Sequence, residues 1–349
     1  MRQFRALGGN ITQQEAKTLS DEQIRQIKQD IHDIPEYYGM PLSVIRENST
    51  ITFDLFVKVS DTFKKVLARS GLVSPKFLQA LRAGEHDKVY TPADQSEAML
   101  RYKESQLDGV IRDPQIPMDE KSEVIYSTAT GIVEELFDSP ITAHNIDRTR
   151  SVVYPMLDSV LSDYTTVESL IAVSSYDYYT YTHSVDVSVY AIGLGQTLGL
   201  DRKTMEQLGE AAILHDVGKS QVDIKIVNKP GRLTNEEFEA MKMHPTYAYD
   251  ILRHNGMNDP VILEAVRDHH EKINGMGYPR GKSAKEISQL ARIITIADIF
   301  NALTTRRSYK EALTTFDALK IMKDHMADEL DGDLLKRFMY MMAGQHNKG

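Results

Sequence analysis

From about Asp119 onward, apolar residues recur three and four positions apart, and no alternating pattern of comparable strength returns. Ile125, Ala129, Ile132, Val133 and Leu136 form the first such stripe. A chain with this period must bury one face of each helix against its neighbours, so residues 141–349 are predicted to be an all-helical domain. Local signals punctuate it. Thr234 with Glu237 and Ser283 with Glu286 have the spacing of capping boxes, and Asp259-Pro260 reads as a helix N-cap followed by its first residue.

The first 140 residues read differently. A charged helical pattern covers residues 13–33 and stops at Ile34-Pro35. Ile51, Phe53, Leu55 and Val57 alternate with Thr52, Asp54, Phe56 and Lys58, which predicts a strand with one face buried. A helix is expected from Ser74-Pro75, carrying Phe77, Leu78 and Leu81, and Lys88-Val89-Tyr90 suits a second strand. Residues 1–140 are therefore expected to form a small α/β regulatory or sensory module with a helical linker, making the chain α+β overall. No cluster of chemically reactive side chains falls in this part.

Composition narrows the chemistry. The 349 residues are 41% hydrophobic, enough for roughly two domains. No apolar run approaches the ~18–20 residues needed to span a bilayer, and Met1 to Thr12 is polar, so a cytoplasmic protein without a membrane partner is expected. Cysteine is absent, which leaves His, Asp, Glu and backbone oxygen as metal ligands. A net charge of −9 argues against binding to duplex nucleic acid, although a few local cations could still hold a small anion.

The helical stripes carry an unusual set of residues. His183 continues Val187, Ala191, Leu194 and Leu198; His215 continues Leu208 and Ala212, with Asp216 beside it; His244 follows Met241. His269 continues Ile262 and Val266, with His270 beside it, and Asp298 continues Ile287, Ala291 and Ile294. One such residue is most simply a hydrogen-bonded core side chain. Five His and two Asp buried together would leave charge and donors unsatisfied, and divalent metals answer all of them at once. Seven ligands exceed the needs of one ion. A pair can share a carboxylate, with Asp216 the natural bridge, and two ions roughly 3.5–4 Å apart suit phosphoryl chemistry.

The string His215-Asp216-Val217-Gly218-Lys219 resembles the HD-superfamily signature. The run from His269-His270-Glu271 through Asn274-Gly275 to Gly277-Tyr278-Pro279 resembles the HD-GYP family pattern, and the likeness extends over roughly residues 145–320. The resemblance implies a phosphodiesterase acting on cyclic di-GMP, giving pGpG and then GMP, with the same seven residues as metal ligands. It implies that Lys219 contacts the scissile phosphate beside Asp216. It also implies that Gly277, Tyr278 and Pro279 form a substrate-facing lip that is also a contact for diguanylate cyclase (GGDEF) domains, and that Arg307 and Lys310 grip the second phosphate. Asp177 is a candidate guanine contact, with a helix N-cap as its plainer role.

The sequence departs from the family in three places. Asn301 replaces a usual Asp and Ser308 a usual Pro, changes expected to be tolerated because neither residue should ligate metal. Tyr179 stands where some relatives offer a Glu to a third metal; a phenol of pKa near ~10 is a poor substitute, so two ions are expected. Iron or manganese suits this many N/O ligands better than tetrahedral zinc. The alternatives are a catalytically weak cyclic di-GMP receptor and another HD nucleotide phosphohydrolase. A homodimer is compatible with the helix near residues 119–138.

Overall fold

The computed structural model describes residues 36–174, 180–306 and 311–344. Their packing divides the chain into two compact units, Met1–Gln106 and Leu107–Gly349. The residue 13–33 helix expected from sequence lies outside the described residues.

The first unit is built on a four-stranded sheet of β1 (Tyr37–Pro41), β2 (Leu55–Val59), β3 (Thr62–Leu67) and β4 (Lys88–Pro92), in the order β1-β4-β2-β3. All three pairings are antiparallel. Ile51, Phe53, Leu55 and Val57 are all buried, as their alternation predicts. Only the second half of that run is β2, however, because residues 51–54 leave the ladder. Asp54 takes a hydrogen bond from the Lys65 ammonium and another from the Arg69 backbone N–H, both at 2.8 Å. A local carboxylate acceptor thus replaces the cross-strand partner. Helix α1 (Pro75–Ala83) starts where expected, capped by Ser74, whose hydroxyl accepts from the Phe77 N–H; such a cap contributes about 1 kcal/mol. Helix α2 follows at Ser96–Arg112.

The second unit is helical: α3 (Met118–Asp138), α4 (Ala143–Ser162), α5 (Thr165–Val173), α6 (Thr180–Thr197), α7 (Arg202–Leu214), α8 (Ile224–Val227), α9 (Asn235–Met241), α10 (His244–His254), α11 (Pro260–Asp268), α12 (Gln289–Thr304), α13 (Thr315–His325) and α14 (Gly332–Met342). No helix among the described residues is long and apolar enough to cross a membrane. Helix α3 packs its predicted stripe against α4, α5 and α6, so the expected boundary at residues 140–141 falls inside this unit. Helix α6 is the hub. Every residue from Thr182 to Gly195 is buried, as befits a helix surrounded by α3, α4, α5, α7, α12 and α14.

Two of the three predicted helix-start signals are realised. Thr234 and Glu237 form a capping box on α9, and Asp259 caps α11 through the Val261 N–H. Ser283 and Glu286 do bond to each other, but they close a turn. Helix α12 begins later, capped by Ser288, so Ile287 precedes the helix that carries Asp298.

Candidate metal centre

Three of the five histidines stand at helix ends, which governs how they are held. His215 follows the last residue of α7, His269 follows the last residue of α11, and His244 opens α10 three residues after the end of α9. A helix C-terminus leaves its final carbonyls without intrahelical partners. Each histidine uses one: Nδ1 of His215 donates to the Ala212 carbonyl at 2.7 Å, that of His244 to Met241 at 2.7 Å and that of His269 to Val266 at 2.6 Å. With the proton committed to Nδ1, each ring turns a bare Nε2 lone pair inward.

The seven expected residues do converge. The donor atoms of His183, His215 and Asp298 lie within 4.8 Å of one another, as do those of His244, His269 and His270, and those of His215, Asp216 and His269. Asp216 stands between the two outer groups. Its Oδ2 lies 3.4 Å from His183 Nε2 and 3.3 Å from His215 Nε2, while its Oδ1 faces His244 Nε2 at 3.3 Å. Asp298 Oδ1 is 3.1 Å from His183 Nε2, and its Oδ2 is 3.7 Å from His270 Nδ1.

This donor set fits divalent cations. His244 and His269 bring their Nε2 atoms within 3.3 Å of each other although both Nδ1 protons are already committed. Neutral rings would thus present lone pair to lone pair, an arrangement that a cation between them resolves. His215 Nε2 and Asp216 Oδ1, both buried, have no hydrogen-bond partner among the described residues.

Electrostatics agree with ligation by neutral imidazole and ionised carboxylate. Burial pushes His183 below its usual range, and it pushes His269 well below, helped by His270, His215 and His244. Burial likewise pulls His270 down to about 3. Burial opposes ionisation of Asp216, but Lys219 and the neighbouring histidines outweigh it and hold the carboxyl well below the usual range. Asp298 is lowered in the same way, its burial overcome by His183, His270 and His215. His215 alone moves upward: burial works against its charge, and Asp216 overrides the burial.

The centre is closed on one side and open on the other. The side chains of His183, His215, Asp216 and His244 are at most 1% exposed, whereas those of Asp298, Lys219 and His270 reach 11%, 15% and 24%. Lys219 sits at this opening with Nζ 2.5 Å from Asp216 Oδ2. The short 3-10 turn Val217–Gln221 can bring Asp216 to α10 only because residue 218 is glycine: a Cβ there would meet the His244 carbonyl oxygen at 2.0 Å.

The Gly-Tyr-Pro segment forms one rim. Tyr278 packs against His270 with the rings tilted, centroids 4.7 Å apart, and its backbone N–H donates to the His270 carbonyl. Gly277 allows the chain to fold on itself, since a Cβ there would meet the Lys272 nitrogen at 2.3 Å; the missing side chain serves backbone packing here. Pro279 is half-buried next to it. Glu271 anchors the loop by accepting from the Arg280 and Lys282 N–H groups at 2.6 and 2.8 Å. The Arg280 and Lys282 side chains meanwhile pair with Asp268 and Glu264. Asp177, Tyr179, Arg307, Ser308 and Lys310 lie outside the described residues.

A further layer was not anticipated from sequence. His183 Nδ1 lies 2.7 Å from Asn301 Oδ1, the Asn301 amide donates to Asp186 Oδ2 at 3.1 Å, and Tyr126 donates to Asp186 Oδ1 at 2.8 Å. Asn301, expected only to be tolerated, touches a candidate ligand. A buried aspartate in the middle of an apolar helix was the available signal. Burial raises Asp186 to about 7.

Comparison with known proteins follows the same lines. The family profile described as "HD domain" matches residues 155–334. The chain is similar to a cyclic di-GMP phosphodiesterase of Pseudomonas aeruginosa, 35% identical over 183 residues, covering 52% of this chain and 43% of that protein. It is equally similar to a 3′3′-cGAMP-specific phosphodiesterase of Vibrio cholerae, 35% identical over 173 residues, 49% of this chain and 37% of that one. A cyclic di-GMP phosphodiesterase of Thermotoga maritima is 37% identical over 148 residues, 41% of this chain and 40% of that one. The match thus spans less than half the length of each of these relatives. Among solved structures, an HDG"Y"P protein from Bdellovibrio bacteriovorus superposes with a TM-score of 0.62 at 19% identity, covering 88% of this chain and all of that one, a likeness of fold.

Proposed function

The chain belongs to the HD domain family, in its HD-GYP branch, and on that premise we propose that it is a metal-dependent phosphodiesterase hydrolysing cyclic di-GMP to linear pGpG and, in a second round, GMP. The observation that carries this reading is the division of the Asp216 carboxylate, one oxygen toward His183 and His215 and the other toward His244. A carboxylate so placed suits a pair of divalent ions, with iron or manganese favoured by the N/O donor set. His183, His215, Asp298, His244, His269, His270 and the shared Asp216 would hold them. When bound, such a pair supplies Lewis acidity at a phosphoryl oxygen and lowers the pKa of water toward neutrality.

The chain's own residues do the rest. Lys219, at the open side, offers its ammonium to the charge that develops on the phosphoryl group. Tyr278 lies against His270 and so forms part of the rim of the opening at which Lys219, Asp298 and His270 are exposed. Arg307 and Lys310 are assigned to the phosphate that is not cut, and Asp177 to a guanine, by resemblance to the family. The Gly277-Tyr278-Pro279 rim is, by the same resemblance, a contact for GGDEF domains.

A second substrate, 3′3′-cGAMP, is favoured by one observation: the relative specific for it is as similar to this chain as the cyclic di-GMP enzyme is. Purified protein loaded with Mn(II) or Fe(II) under anaerobic conditions should be given each cyclic dinucleotide and the products separated by chromatography. Linear dinucleotide from cyclic di-GMP supports the primary reading, and faster cleavage of 3′3′-cGAMP would transfer it to that substrate. Metal-loaded protein that cleaves neither would overturn it.

A further inference from the structure

His215, His244 and His269 each find a spare carbonyl at a helix C-terminus, whereas His183 lies at the opposite end of its helix. It stands in the first turn of α6, and the start of a helix leaves unsatisfied N–H groups rather than carbonyls. Its Nδ1 instead meets the Asn301 side chain at 2.7 Å. An asparagine amide is ambiguous, since either end can face the imidazole, and the two choices have opposite consequences. With oxygen toward His183, Nδ1 carries the proton and Nε2 turns its lone pair into the candidate metal centre, beside the Asp216 and Asp298 carboxylates. With nitrogen toward His183, the proton moves to Nε2 and points into the candidate metal centre.

We propose that Asp186 resolves this ambiguity: acting through Asn301, and itself oriented by Tyr126, it is a positioning residue that sets the tautomer of His183 for metal binding. An ionised carboxylate can only accept hydrogen bonds, so Asp186 Oδ2 requires the Nδ2 end of Asn301, and Oδ1 of the same amide must then face His183. Asp186 Oδ1 takes the Tyr126 hydroxyl at 2.8 Å. All four residues are buried, with Asp186 at 1%, Asn301 at 2% and His183 at 2% exposure, so water cannot substitute for a lost partner without cost. The relay runs from α3 through α6 and α12 back to α6, and neither Asp186 nor Tyr126 belongs to the candidate ligand set. The inference rests on the metal-centre reading but not on which nucleotide is cut.

The test uses Asp186→Asn and the reciprocal double variant Asp186→Asn/Asn301→Asp in the full chain at about pH 8, above the value of about 7 to which burial raises Asp186. In the single variant either amide orientation becomes permitted at both positions. In the double variant a carboxylate at 301 accepts from His183 and from the new amide, restoring the direction of the relay. Mn(II) affinity should fall about tenfold in the single variant, the scale usual for loss of a partner behind a metal-bound histidine, and return to within about threefold in the double. Long-range 1H–15N spectra of metal-free protein should show the His183 proton on Nδ1 in the wild type and the double variant, and divided between the two nitrogens in the single. Unchanged affinity and tautomer in Asp186→Asn would overturn the proposal. So would a double variant no better than the single, because a purely structural role for Asp186 gives no reason for rescue. Both readouts are taken without nucleotide, so a failure to hydrolyse cyclic di-GMP leaves them informative.

Discussion

Lys219 Nζ lies 2.5 Å from Asp216 Oδ2, the same carboxylate oxygen that faces His183 and His215. The ammonium thus holds the candidate bridging carboxylate ionised while standing at the open side of the centre, where a phosphate would arrive. Its role and that of Asp216 should separate under mutation.

Lys219→Ala is expected to keep its metal ions, with affinity equal to or slightly above wild type, because a competing cation has left Asp216. Turnover should fall by roughly 10²–10³, the scale seen when one charge-stabilising donor is removed. Elemental analysis alongside steady-state rates measures both. Metal content falling in step with activity would make Lys219 part of the scaffold.

Asp216→Ala should lose both ions and all measurable hydrolysis. One carboxylate faces both histidine groups, and its removal leaves each underligated. A variant that retains two ions per chain with near-normal turnover would show that the shared geometry is incidental.

Metal loading should weaken on acidification, and His215 should set where. Its folded pKa is raised by Asp216, so in metal-free protein it keeps a proton to higher pH than an ordinary histidine, and an incoming ion must displace that proton. His269 and His270 are lowered and stay neutral throughout this range, adding nothing to the slope. Mn(II) titrations stepped from pH 8 to 5.5 should show affinity dropping as pH falls through the His215 range. A flat profile would contradict the assigned electrostatics.

Glu271→Gln tests the loop beside the opening. The carboxylate accepts two backbone N–H groups, from Arg280 and Lys282, and an amide can satisfy only one of them through its oxygen. Leaving the other unpaired should cost about 1–3 kcal/mol locally. Faster hydrogen exchange over residues 274–282 and a higher KM are expected, with metal content unchanged. Loss of metal instead would show that the loop, through Tyr278 on His270, helps to hold the ions.

Much of this protein was legible from its residues in order. Helical periodicity is a local property, so the stripes through His183, His215, His269 and Asp298 could be read without knowing their neighbours, and they meet in one centre. The alternation of Ile51 to Val57 likewise predicted which side chains are buried. It could not reveal that Asp54, bonded to Lys65 and Arg69, would interrupt the ladder. The Ser283-Glu286 pair has the spacing of a helix cap and closes a turn instead, because the helix starts only at Ser288. Tertiary structure alone decided the pairing of Asp186 with Asn301, 115 positions apart, and with Tyr126, 60 positions apart. Sequence pattern marks which side chains a helix must bury, whereas the partner that satisfies a buried polar group, and with it the proton placement on His183, depends on which helices pack together.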